Sequence, residues 1–167
     1  MKKLSLIYFP NPKLKLVATS VDEITDAIRD IAQQMEQIMY SADGVGLAAT
    51  QVDVQKRIIL IDITSNRSAP QCLINPKIIS GEGNMKTPEG CLSFPGIYAK
   101  VKRHHDVIVE YRNLDWEIKT MEAKGGLLSA CLQHEIDHLD GITFYDHLSS
   151  LKQKMLKEKI RKMKVKN

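Results

Sequence analysis

The chain has 167 residues, 43% hydrophobic and 26% charged, with a net charge of +4. That balance belongs to a globular chain with one core of ordinary size; it excludes a disordered chain, and the apolar runs are far too short to cross a bilayer. The charge is uneven: residues 149–167 hold eight Lys or Arg and the single acid Glu158, a local +7 against −3 for residues 1–148.

The N-terminus begins like a secretory signal, but Pro10-Asn11-Pro12 ends the apolar run and no small-residue cleavage site follows. It is read as an extended segment of a cytoplasmic protein. Cys72, Cys91 and Cys131 are an odd set without a secretory context, which points to a metal-ligating or buried thiol rather than a disulfide framework. The spacing predicts a first helix over residues 21–42, with Ile24, Ala27, Ile28, Ile31, Met35, Ile38 and Met39 on a core-facing stripe. Ser20 is the expected N-cap, with Glu23 as its capping-box partner. Asp43-Gly44-Val45-Gly46 ends this helix. Residues 57–64 are β-branched and read as a strand, residues 65–70 as a polar loop, and Cys72–Ile79 as a strand-like run interrupted by Asn75-Pro76. Residues 81–84 read as a turn, and Val107–Tyr111 and Trp116–Met121 as a hairpin around Asn113-Leu114-Asp115. A second helix is expected over residues 127–139, stopped by Gly141, and a third from about Leu151 carries the basic tail. Helix, strands, then helices without βαβ alternation is an α+β pattern, read as one domain over residues 1–167.

The chemistry concentrates in His134-Glu135-Ile136-Asp137-His138. Four-residue spacing on a helix puts both imidazoles on one face, one turn apart, with Glu135 beside them in reach of a water on a shared metal. A catalytic site needs a third ligand. The downstream His of one large metalloprotease class is replaced here by Phe144. Cys131 is on the same helix face, but it lies seven residues from His138, about 10 Å of helix rise, so it reads as a small buried residue beside the site. Cys72 lacks context. Cys91 has it: Glu89-Gly90-Cys91-Leu92-Ser93-Phe94-Pro95-Gly96 makes a tight turn able to aim a side chain and expose backbone N–H groups. His104 and His105 are rivals, expected at the surface.

Three segments, Gly44-Val45-Gly46-Leu47-Ala48-Ala49-Thr50-Gln51, Glu89-Gly90-Cys91-Leu92-Ser93 and Gln133-His134-Glu135-Ile136-Asp137-His138, together resemble the bacterial peptide deformylases in order and separation. The resemblance implies antiparallel β-sheets wrapped around a central metal-binding helix, with an N-terminal and a C-terminal helix. It implies hydrolysis of the formyl group from the formyl-methionine of nascent polypeptides. It implies Cys91, His134 and His138 as ligands of one divalent metal with a water in the fourth position: Fe2+ physiologically, with Zn2+, Ni2+ or Co2+ as substitutes. It gives Glu135 the role of base and then acid, and makes the Gln51 amide and the Leu92 N–H the oxyanion donors. One departure is visible: where many relatives have a peptide-contacting Arg, this chain has Tyr98, which is therefore left out of the binding residues.

The implied methionine side chain needs an apolar slot. Leu127, Ala130 and Cys131 share a helix face with the two histidines and are expected to line it, with Val45 opposite and the Gly46 backbone pairing with substrate; ordinary core packing is the alternative. Glu89 and Arg103 read either as a pair steadying the Cys91 turn or as a surface ion pair. Leu151, Met155, Ile160 and Met163 form an expected apolar edge on the basic helix, which reads as a docked solvated element or as a contact for ribosomal RNA. The expected assembly is a monomer without membrane attachment. A metalloprotease reading lacks its third ligand and leaves the Cys91 segment idle. An RNA-binding module with a structural metal lacks a fourth protein ligand and leaves Glu135 idle.

Overall fold

A computed structural model describes residues 2–166. The first helix starts later than its periodicity implies. α1 runs Asp26–Ser41, and Thr25 rather than Ser20 caps it, with Thr25 Oγ1 accepting from the Ile28 N–H at 3.2 Å. The preceding chain is drawn off by Asn75, whose amide bonds both backbone groups of Val21, at 2.9 and 2.8 Å. Ile28, Met35 and Met39 are buried on the stripe, as the spacing requires.

The strands are β1 (Gly46–Ala48), β2 (Ile58–Ile61), β3 (Gln71–Glu82), β4 (Met85–Cys91), β5 (Phe94–Arg103), β6 (Asp106–Arg112) and β7 (Ile118–Lys124). The second helix, α2, spans Gly126–Leu139, and the third, α3, spans Ser150–Lys166. Five strands form one antiparallel sheet in the order β1-β2-β3-β6-β7, while β4 and β5 form a separate hairpin. The architecture is α+β.

Side-chain alternation explains the layering. On β2, Ile58 and Leu60 pack with α1, whereas Ile59 and Ile61 pack with Cys131, Leu132, Ile136 and Leu139 of α2. The β1–β3 end of the sheet is thus covered on both faces, which is why β2 is an unbroken apolar run. From Ser129 to Leu139 every residue of α2 except Asp137 is buried. Gln133 ties this helix to the β5–β6 corner: its amide accepts from the His104 N–H and donates to the His104 carbonyl, both at 2.9 Å.

Four sequence expectations change. Asn75-Pro76 does not interrupt its strand; β3 continues through a register shift between Ile74 and Lys77, with Asn75 at φ 50°, so the bulge absorbs the missing proline N–H. β3 also runs on through Gly81 and Glu82, leaving Gly83 and Asn84 as the turn. The second arm of the β6–β7 hairpin starts at Ile118, because Trp116 sits in the turn at φ 65°. On α3 it is Leu156 and Ile160 that pack against the aromatic cluster of Phe94 and Phe144, while Leu151 and Met155 are 68% and 62% exposed. Among the described residues, no helix is long and apolar enough to cross a membrane.

Candidate metal centre

Two elements converge on one point. α2 presents His134 and His138 one turn apart, and Cys91, the last residue of β4, comes from the opposite side. Only Leu92 and Ser93 separate Cys91 from its hairpin partner Phe94. One ligand atom from each of Cys91, His134 and His138 lies within 4.8 Å of the other two, and Cys91 Sγ is 3.3 Å from His138 Nε2. A thiolate with two imidazoles suits a first-row divalent ion. The surroundings also fit a cation: Glu135, Cys91 and Glu89 hold the His134 pKa well above its usual value, although burial works against the charged ring. Among the described residues, Glu135 Oε1 is buried without a hydrogen-bond partner, and Glu135 lines the cavity beside the ligands.

Glu89 fixes one ligand. Its Oε1 accepts from His134 Nδ1 at 2.9 Å and from Arg103 Nη2 at 2.7 Å, and its Oε2 accepts from Arg103 Nε at 2.7 Å. The Glu89 and Arg103 side chains are only 6% and 3% exposed, so this is a buried bidentate pair and not a surface one. Burial raises the Glu89 pKa, but the bonds from Arg103 and His134 outweigh it and bring it down to about 2. With Nδ1 committed to a carboxylate, His134 turns Nε2 to the site. Among the described residues His138 has no such partner: its Nδ1 is buried and unbonded, and burial, then the neighbouring His134, pushes its pKa well below the usual range. Burial raises Glu135 to about 7, a value suited to moving a proton near neutrality.

A cavity of about 910 Å³ opens beside these groups. Val45, Gly46, Leu127, Ala130 and Cys131 all line it, as do Gln51 and Leu92. Gln51 sits in the turn after β1; its Oε1 accepts from the Ala48 N–H at 2.9 Å, which aims its Nε2 at Ser93 Oγ (3.1 Å) and Cys91 Sγ (3.4 Å). β1 is one of the two edge strands of the sheet. The Asp62 N–H bonds the Val45 carbonyl at 2.8 Å and Gly46 stands opposite Ile61, so the Gly46 N–H and C=O point away from β2. A Cβ at Gly46 would lie 2.6 Å from Glu135 Oε2 and 2.7 Å from Cys131 Sγ, so any larger residue must displace these groups.

The other candidates separate. Cys131 is a buried thiol with its pKa raised well above the usual value by burial, then by Glu135 and Glu89. Cys72 lies in the α1 cluster, its thiol pushed up to about 12 by burial. His104 and His105 are exposed. Phe144, at the position of the absent third His, places its ring 6.1 Å from that of His134. Sequence reasoning missed Thr87, Tyr8 and Leu6 on the cavity wall, and it left Tyr98 out, which lines the mouth while 72% exposed. It also missed Ser93, although Gln51 and Ser93 both fall in segments already singled out.

The sequence matches the polypeptide deformylase family over residues 3–154. The chain belongs to this family. Family members are enzymes, and this chain is a hydrolase of that class. Peptide deformylase 2 of Nitrosomonas europaea is 46% identical over 162 residues, covering 97% of this chain and 87% of its own length. The peptide deformylase of Stenotrophomonas maltophilia is 42% identical over 167 residues, 98% of each protein. The crystal structure of a peptide deformylase from Legionella pneumophila superposes with a TM-score of 0.92 at 37% identity, over 98% of this chain and 96% of that one. The peptide deformylase of Ehrlichia chaffeensis in complex with actinonin gives 0.90 at 35% identity, over 98% of both chains.

Proposed function

We propose that the chain, acting as a single domain, hydrolyses the formyl group of N-terminal formyl-methionine on newly made polypeptides and releases formate. The convergence of Cys91, His134 and His138 beside the buried carboxylate of Glu135, whose Oε1 has no hydrogen-bond partner among the described residues, carries this reading. Cys91, His134 and His138 would hold a divalent ion, Fe2+ in the cell with Zn2+, Ni2+ or Co2+ as substitutes, which would supply Lewis acidity toward water and the formyl carbonyl.

The remaining work falls to side chains and backbone. Glu135 takes the proton of the attacking water and delivers it to the nitrogen of the breaking C–N bond, and the second water proton leaves the new carboxylic acid for the freed amine, so formamide and water become formate and a protonated amine. The Gln51 amide and the Leu92 N–H donate to the developing oxyanion. The outward N–H and C=O of Gly46 receive the substrate backbone as an added strand. Val45, Leu127, Ala130 and Cys131 take up the methionine side chain. The exposed lysines of α3 contact ribosomal phosphates, and the protein works as a monomer.

The test is formate release from a formyl-methionyl peptide by metal-loaded protein. Wild type turns over, and Glu135→Gln loses about 10²- to 10⁴-fold in kcat while keeping its metal. No formate from loaded wild type overturns the proposal; full activity of Glu135→Gln removes Glu135 as the base.

A further inference from the structure

His147 lies outside the cavity, at the end of the short 3-10 turn Phe144–His147 that joins α2 to α3. Its Nε2 is 2.8 Å from Asp137 Oδ2, on the one residue of the Ser129–Leu139 stretch that is not buried. The same oxygen accepts from Arg103 Nη1 at 2.7 Å. Arg103 in turn holds both oxygens of Glu89, and Glu89 holds His134 Nδ1 at 2.9 Å. Five side chains thus make an unbroken hydrogen-bonded line from an imidazole that is 37% exposed to a buried metal-ligand candidate. Asp137 has no base or acid role in the reaction, yet its carboxylate is bonded from two sides.

We propose that His147 is a positioning residue of the metal centre. With its proton on Nε2, the tautomer favoured by the 2.8 Å approach to Asp137 Oδ2 over the 3.4 Å one to Arg103 Nη1, His147 gives Asp137 Oδ2 a second donor, which fixes the carboxylate that orients Arg103. Arg103 then keeps Glu89 in register with Nδ1 of His134, and so fixes the tautomer and ring plane of that ligand. The inference rests on the reading of Cys91, His134 and His138 as ligands. Loss of a direct partner of a ligating imidazole weakens metal binding about 10- to 100-fold. His147 acts further out along the line, so its removal is expected to weaken binding about three- to tenfold. A pair whose worth is only that of a half-exposed ion pair changes metal binding not at all.

The experiment loads full-length protein with Zn2+ and measures its transfer to a chromophoric chelator at fixed pH, for wild type, His147→Ala, His147→Gln, Asp137→Asn and the Ala/Asn double variant. Expected are a three- to tenfold weaker affinity for His147→Ala, recovery in His147→Gln, whose amide N–H still reaches Asp137, and a double variant no worse than Asp137→Asn. Wild-type affinity in His147→Ala overturns the proposal, even with a lowered Tm. So do losses that multiply in the double variant. Wild-type protein that takes up no zinc overturns the metal centre itself, a failure visible before any variant is compared.

Discussion

At the scale of single residues, Glu135 and Gly46 show how burial is turned to chemistry. Glu135 has a folded pKa of about 7 against an ordinary 4.5, because burial disfavours its charge. Between those values the folded chain keeps a proton that the unfolded chain releases, so this group makes stability fall as pH rises from 4.5 to about 7 and level off above. In metal-free protein, Glu135→Gln is therefore expected to raise Tm at pH 8 and leave it nearly unchanged at pH 5. Equal shifts at both pH values, read by thermal melts, would contradict the raised pKa. Gly46 faces the opposite constraint. A methyl group there has no room beside Glu135 Oε2 and Cys131 Sγ. Gly46→Ala is expected to cost about 1–3 kcal/mol of stability and, by displacing the Glu135 carboxylate, to lower kcat. Unchanged denaturation midpoint and kcat together would show that the edge yields.

At the scale of elements, the β4–β5 hairpin and α2 must meet in one register for Cys91 to reach the two histidines. Arg103 joins them: it lies at the end of β5, pairs with Glu89 on β4 and with Asp137 on α2, and is 3% exposed. Replacing it by Met removes the guanidinium from both carboxylates, leaving Glu89 to His134 and Asp137 to His147 alone, with an expected loss of about 3–5 kcal/mol, measurable by urea titration. The pH dependence follows from Glu89. Its folded pKa of about 2 lies below the ordinary 4.5, so the pair's contribution is complete above 4.5 and disappears as pH falls toward 2. The gap between wild type and Arg103→Met should close across that acid window. A constant gap would mean that Glu89 does not carry the coupling.

At the scale of the whole molecule, the five-stranded sheet ends in edge strands β1 and β7, and the β4–β5 hairpin closes over the β1 edge to form the cavity. The basic helix α3 docks on this body through Leu156 and Ile160, which turns its Lys154, Lys159 and Lys162 outward. Deleting the helix would also uncover Phe94 and Phe144, so the cleaner test of a ribosomal role is reversal of those three lysines to Glu. Salt-sensitive co-sedimentation with ribosomes should fall while formate release from a short peptide stays at wild-type level. Co-sedimentation unchanged at low salt would remove the tail from the interaction.

Much of this was readable from spacing alone. His134, Glu135 and His138 are neighbours on one helix, and a local period determines which face they share. The α1 stripe, the β6–β7 hairpin and the extent of α2 follow from equally local rules. What the sequence could not decide depends on contacts between distant residues. Cys91 and His138 are 47 positions apart. The Glu89–Arg103 pair reads the same whether buried or on the surface until the hairpin is placed. β4 and β5 hide behind Lys, Thr, Pro and Gly, because a hairpin that lines a cavity carries little apolar alternation. Thr25 displaced Ser20 as the helix cap because Asn75, far along the chain, bonds the backbone of Val21. The line from His147 to His134 passes out of α2 through β5 and β4 and back, and only packing brings these segments within hydrogen-bond reach.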